Sequence, residues 1–239
     1  MTFVLIHGAW HGGWCWKRVC HVLTAAGAAV HTPTLTGLGE RAHLASPDVG
    51  LATHVQDVVN VLACEELAEV VLVGHSYAGV VVTAVADRVP DRIARLVYLD
   101  AVVPRDGECL LDRVSPEFRR RIDALARDEG DGWLVPPLSA ERLGLVADAD
   151  IDWVMPKLVP HPYRTFREPV ALSFPPGGTA PRTYINCIGT QPRGSARTPQ
   201  ADGIDDYHEL ATGHDAMVTA PDDVAHLLLR AIHDPWGDA

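Results

Sequence analysis

Lysine is almost missing from this chain: Lys17 and Lys157 are the only two in 239 residues, and no basic tract occurs anywhere. With a formal net charge of −11, the surface repels phosphate backbones and anionic headgroups, which argues against nucleic-acid and membrane partners. Long apolar runs are missing too. None approaches the roughly 20 residues needed to cross a bilayer. The five cysteines (Cys15, Cys20, Cys64, Cys109 and Cys187) are odd in number, scattered and without metal-ligand spacing. That argues against a disulfide scaffold and for a reducing compartment, the cytoplasm. No phosphate-cradling glycine loop and no ligand cluster stands out, so neither an organic cofactor nor a metal is expected. Residues Met1 to Gly8 lack a basic region and a small-residue cleavage site, and read as a first core strand rather than a signal peptide. Scarce lysine beside plentiful arginine, alanine and proline points to a GC-rich bacterial gene.

What is present is ordinary globular material. Hydrophobic residues make up 47% and charged residues 21%, enough to bury one large core. Short apolar strand-like runs alternate with helical spacing. Strands are predicted at residues 2–7, Ala28 to His31, Val70 to Val73, Ile93 to Leu99, Arg182 to Cys187 and Tyr207 to Leu210. Helices are predicted at Cys15 to Ala26, Leu51 to Glu65, Ala78 to Arg88 and Pro221 to His233. In Leu51 to Glu65 the residues Val55, Val58, Val59 and Leu62 share one face, and Pro221 sits in the first turn of the last helix, where its missing N–H costs nothing. Such alternation predicts an α/β fold, a mostly parallel sheet with helices on both faces.

One stretch breaks the rhythm. Residues 105–180 are polar and proline-rich, with helical pieces at Pro116 to Asp128 and Ser139 to Val146. A stretch that long between two strands is predicted to be a small helical cap inserted into a core made of residues 1–104 and 181–239. It would lie over the carboxyl ends of the strands, where sites in such sheets are built.

The most informative local feature is Gly74-His75-Ser76-Tyr77-Ala78-Gly79, placed between the apolar run Val70 to Val73 and the helical run starting at Val80. A glycine-flanked turn between strand and helix projects the serine hydroxyl from the sheet, the geometry of a nucleophile elbow. A serine hydroxyl is a weak nucleophile and needs a base within hydrogen-bond reach, itself oriented by a third group. Of the 12 histidines, His214 in Ala211-Thr212-Gly213-His214-Asp215 is best placed, in a loop after the last strand. His75 reads as a support for the elbow, and His31, His54, His208, His226 and His233 as surface or packing residues. The oxyanion requires two converging N–H donors. They are expected from Tyr77, directly after the serine, and from Ala9 in the loop His7-Gly8-Ala9-Trp10-His11-Gly12-Gly13-Trp14. The orienting acid is the part with several candidates. After Arg182 to Cys187 the chain reads Ile188-Gly189-Thr190-Gln191-Pro192-Arg193, without a carboxylate. Asp100, at the end of Leu96 to Leu99, is favoured over the Asp202, Asp205 and Asp206 group and over a dyad with no acid.

His7-Gly8-Ala9-Trp10, the serine hexapeptide and Gly213-His214 resemble the α/β-hydrolase superfamily over essentially the whole chain, weakening in the cap. The resemblance is nearest to the branch of plant methyl-ester esterases, hydroxynitrile lyases and their bacterial relatives. It implies that some members place the acid after the earlier strand, in support of Asp100. Two departures matter. Lyases of this branch carry threonine after the first histidine of the oxyanion loop and lysine after the catalytic histidine, where this chain has Gly8 and Asp215. Loss of the lysine argues against cyanide chemistry, and Ser76 argues against the aspartate nucleophile of epoxide hydrolases and dehalogenases. The expected function is hydrolysis of a small or medium apolar carboxylic ester through an acyl-enzyme, with Trp10, Trp133 and Trp153 lining the substrate site. A thioesterase, lactonase or secondary-metabolism cyclase would use the same residues. A small-molecule receptor with slow turnover and a cofactor-free oxygenase are the readings from other classes. Monomer and homodimer are both compatible with the sequence.

Overall fold

The computed structural model describes residues 1–173, 180–189 and 203–233. Its centre is a sheet whose strands are buried on both sides: every residue from Val70 to His75 and from Phe3 to Ile6 is inaccessible or nearly so. Unbroken apolar runs are what a parallel strand needs when helices cover both faces. The chain alternates accordingly, through β1 (Thr2–Ile6), α1 (Lys17–Ala25), β2 (Ala29–His31), α2 (Leu51–Cys64), β3 (Val70–His75), α3 (Ala78–Arg88) and β4 (Ile93–Leu99). After the insert come β7 (Arg182–Cys187), β8 (Asp206–Leu210), α8 (Ala216–Thr219) and α9 (Pro221–His233). The strands form one six-stranded sheet in the order β2-β1-β3-β4-β7-β8, and every neighbouring pair is parallel. Helices α1 and α9 pack together, as do α2 and α3.

The β3–β4 register (Gly74 opposite Tyr98, His75 opposite Leu99) ends both strands at the same level, so their exits lie side by side. All the residues of interest leave the sheet at this edge.

Between β4 and β7 lie α4 (Pro116–Glu129), β5 (Leu134–Val135), α5 (Ala140–Leu143), α6 (Asp148–Val154), β6 (His161–Pro162) and α7 (Arg164–Arg167). Strands β5 and β6 pair antiparallel, Val135 opposite His161. Ser115 starts α4 by accepting the Phe118 N–H at 3.1 Å, with Pro116 at the first helical position. The insert is not a loose flap, because Ile122, Val135, Leu143, Val154 and Phe166 all belong to the continuous core.

Two predicted elements are shorter than expected. The helix predicted from Cys15 to Ala26 is a 3₁₀ turn over Gly13–Trp16 followed by α1. The piece predicted from Ser139 to Val146 stops at Leu143, because Gly144 turns left-handed at φ 74°. Its N–H reaches Glu141 O at 3.0 Å and the Leu145 N–H reaches Ala140 O at 2.9 Å, the paired closure typical of a glycine-terminated helix.

Candidate active site

Ser76 occupies the turn between β3 and α3 with φ 54°, a conformation that L-residues avoid without support. The support is local. The Ser76 N–H donates to Leu99 O at 3.1 Å, and Ser76 O accepts the Val102 N–H at 3.0 Å. The flanking glycines are needed for close approach: a Cβ on Gly74 would meet Ala78 O at 2.8 Å, and one on Gly79 would meet Val102 O at 2.2 Å. Helix and strand exit are thus drawn in against the turn, and the serine side chain stands out of it.

His214 comes from the loop after β8 and brings its Nε2 to 2.8 Å from Ser76 Oγ. Its Nδ1 lies 2.5 Å from Asp100 Oδ2. A carboxylate can only accept, so Nδ1 carries the proton and the Nε2 lone pair faces the serine hydroxyl. Asp100 leaves the end of β4 with φ 43°, is 2% exposed, and is held by its own N–H on Ile185 O at 2.7 Å. The carboxylate that meets His214 therefore leaves the strand beside the serine strand. The rival carboxylates are engaged elsewhere: Asp205 accepts the Arg182 N–H at 2.7 Å and Asp206 lies 2.8 Å from His208 Nε2. Asp202 lies outside the described residues.

The loop after β1 passes directly over the serine turn, close enough that a Cβ on Gly8 would meet His75 Nδ1 at 2.8 Å and Ser76 Cβ at 3.1 Å. Ala9 and Tyr77 are both buried, and among the described residues neither backbone N–H has a protein acceptor. His7 braces this loop, donating from Nδ1 to Gly8 O at 2.8 Å and accepting the Leu35 N–H at Nε2.

Several histidines that sequence reasoning passed over or placed elsewhere surround these residues. His54, read as a surface or packing residue, is buried, and accepts the Tyr77 hydroxyl at 2.8 Å while donating to Thr36 O. Burial holds it neutral, down to about 4. His75 donates to His214 O at 2.9 Å, and burial, reinforced by nearby His214, holds it down to about 3. His11 donates from Nδ1 to Ala9 O at 2.7 Å, and its Nε2 lies 3.1 Å from Asp215 Oδ2. Both partners of this pair are buried. Burial opposes their charges, but mutual attraction outweighs it, raising the imidazole of His11 and lowering the carboxyl of Asp215. The loop after β1 and the His214 loop are thereby tied by a buried His–Asp pair.

The aromatic residues expected to line a substrate site stand in three different environments. Trp10 is 5% exposed, with its indole N–H on Val135 O at 2.9 Å, so it anchors the insert rather than presenting a free wall. Trp153 packs edge-on against Trp14 under the guanidinium of Arg18. Trp133 lines a shallow surface depression with Pro47, Tyr163, Arg164 and Arg167. As for a metal, His75, His214 and Asp215 present ligand atoms within 4.8 Å of one another. Both His214 nitrogens already serve Ser76 and Asp100, so a cation there would break that chain.

The chain is similar to known proteins in both sequence and fold. The model of the alpha/beta hydrolase family matches residues 3–227. A carbendazim hydrolyzing esterase from Nocardioides sp. is 41% identical over 238 residues, 95% of this chain and 98% of that protein. A pyrethroid hydrolase from Sphingobium wenxiniae is 38% identical over 147 residues, covering 61% of this chain and 49% of the other. Among solved structures, an extracellular alpha/beta-hydrolase from a Paenibacillus species, described as sharing structural and functional homology with tobacco salicylic acid binding protein 2, superposes with a TM-score of 0.85. It is 25% identical, with 97% and 98% of the two chains covered. A methylesterase from Arabidopsis gives 0.73 at 26% identity, covering 98% and 99%.

Proposed function

The chain belongs to the alpha/beta hydrolase family, and from that premise we propose that it is an esterase in which Ser76 is the nucleophile, His214 the base and Asp100 the group that orients the base. The observation that carries this reading is the continuous hydrogen-bonded chain Ser76 Oγ, His214 Nε2, His214 Nδ1, Asp100 Oδ2.

Ser76 Oγ attacks the ester carbonyl while its proton passes to His214 Nε2. The carbonyl oxygen becomes an oxyanion held by the N–H groups of Ala9 and Tyr77, donors that face no competing acceptor among the described residues. The imidazolium returns its proton to the leaving alkoxide, giving the acyl-enzyme and free alcohol. Water, deprotonated by His214, then reverses the sequence and releases the acid. Asp100 keeps the Nε2 lone pair toward the serine throughout. The insert, described over residues 105–173, serves as the cap over this centre. The substrate is a small or medium apolar ester, and the names of two relatives make carbendazim and pyrethroids the first compounds to assay. Five unpaired cysteines fit a reducing compartment, and we place the protein in the cytoplasm on that ground; no helix among the described residues is long and apolar enough to cross a membrane.

The test is pre-steady-state hydrolysis of a short p-nitrophenyl ester by the wild type and by Ser76→Ala, followed by carbendazim at steady state. A burst followed by turnover, both lost in the variant, is expected. Turnover surviving in Ser76→Ala would overturn the assignment of the nucleophile.

A further inference from the structure

The oxyanion donor Ala9 belongs to a loop whose next peptide, Ala9–Trp10, is held at both ends by histidines. Its carbonyl accepts the His11 Nδ1–H at 2.7 Å, and its N–H donates to His161 Nδ1 at 3.3 Å. This grip accompanies a costly conformation, since Trp10 has φ 66°. Without two fixed partners the Ala9–Trp10 peptide would relax toward ordinary φ values and carry the neighbouring Ala9 N–H with it.

Each histidine is itself fixed by a residue from a different part of the chain. His11 is held by Asp215, which directly follows His214. His161 comes from the insert, and its proton position follows from its partners. Thr165 Oγ1 donates to Pro162 O at 2.7 Å, so toward His161 Nε2 it accepts, at 2.8 Å. The proton of His161 therefore sits on Nε2, and Nδ1 is left as a bare acceptor for the Trp10 N–H. Burial keeps this ring neutral, well below its ordinary range. The same ring lies 4.8 Å from that of Tyr77, the residue supplying the second oxyanion N–H, and stacks on Phe166 at 4.5 Å. Two further bonds lock the node, Trp10 Nε1–H to Val135 O and Val159 N–H to Trp10 O.

We propose that His161 is a positioning residue for the oxyanion hole: as a neutral acceptor delivered by the insert, it fixes the Ala9–Trp10 peptide against His11 and so aims the Ala9 N–H at the developing oxyanion. The proposal rests on the acyl-transfer reading of Ser76. It makes the insert a structural part of the transition-state site and not only a cover for substrate.

The experiment compares His161→Asn with His161→Leu. The two substituents have nearly the same size and lose the same ring packing, but only asparagine keeps an acceptor at the position of Nδ1. A burst on a p-nitrophenyl ester that is lost with turnover in Ser76→Ala first establishes acylation in the wild type, and turnover surviving in Ser76→Ala removes the acyl-transfer reading itself. Given the burst, His161→Leu is expected to lower kcat about 10 to 100-fold with KM nearly unchanged, because only transition-state stabilisation is lost. Affinity for an alkyl trifluoromethyl ketone, whose serine adduct places an oxyanion in the hole, should fall by the same factor. His161→Asn should recover most of both. Equal losses in the two variants, or a loss confined to KM, would overturn the proposal. Should His161→Leu not fold, Thr165→Val asks the same question. It removes the oxygen that fixes the tautomer, and must lower kcat and ketone affinity together if the proposal holds, whereas unchanged values refute it.

Discussion

At the scale of single residues, the proposed base depends on the acid assigned to it. The Asp100 carboxylate accepts the Nδ1 proton of His214, which forces the Nε2 lone pair toward Ser76. In Asp100→Asn an amide N–H takes that place and favours the opposite tautomer, with the proton on Nε2 and nothing to receive the serine proton. We therefore expect kcat/KM for a p-nitrophenyl ester to drop by about two to four orders of magnitude at neutral pH with the fold intact. Asp206→Asn, altering a carboxylate paired with His208, should leave it within about threefold. The reverse ranking would move the acid away from β4. Sequence reached Asp100 largely by elimination, since the loop after β7 offers no carboxylate, together with the family resemblance. What it lacked was the register that ends β3 and β4 at the same level and sets the two exits side by side.

At the scale of elements, the insert is fastened to the His214 loop by backbone rather than by side chains. Leu143 O accepts the Asp215 N–H at 2.9 Å, and Gly144, closing α5 at φ 74°, lies flat on Gly213. A Cβ on Gly144 would meet Gly213 Cα at 2.5 Å and His214 N at 2.7 Å, both main-chain atoms that cannot swing aside. Gly144→Ala must therefore push α5 away from the base loop as well as strain a left-handed residue. A stability loss of about 1–3 kcal/mol is expected in urea titrations, with kcat falling at least about tenfold through displacement of His214. Retention of wild-type kcat despite lost stability would show that the insert does not position the base. Core strands and helices of this protein were legible because continuous apolar runs and helical spacing are local signals. The fastening was not, because a glycine reads as a turn and its partner lies about 70 residues away. The surroundings of the tryptophans were not legible for a related reason. Aromatic content marks buried surface, but whether that surface faces a substrate or the core depends on packing, and Trp10 is consumed by anchoring.

At the scale of the whole molecule, the site is held together by contacts with no sequence pattern at all: His11 to Asp215 spans 204 positions and Trp10 to His161 spans 151. They concentrate titratable groups in the core, with a consequence for stability. His7, His54, His75 and His161 are buried and neutral, two of them held near 3, one near 4 and His161 well below its ordinary value. In the unfolded chain each would bind a proton near pH 6.5. Below that pH the unfolded state takes up protons that the folded state refuses, so stability falls as pH drops from about 6.5 toward 4, by about 1.4 kcal/mol per pH unit for each fully titrating group. Four groups together approach about 5 kcal/mol per unit in mid-window, an appreciable part of the about 5–15 kcal/mol that holds a domain folded. His11 acts in the opposite sense. Its raised value means that its pairing with Asp215 contributes fully below 6.5 and is lost as pH rises through the folded value. The Asp215 contribution is present above the ordinary carboxylate range and is lost only when pH falls through its lowered value. Maximum stability should therefore lie close to neutrality, with a steep acid limb. Urea unfolding at pH 7, 6 and 5 measures this directly, with a loss of at least about 5 kcal/mol expected between pH 7 and 5. A nearly flat profile across that interval would mean that the buried histidines accept protons in the folded state, which would also contradict a neutral His161 as the acceptor for Trp10.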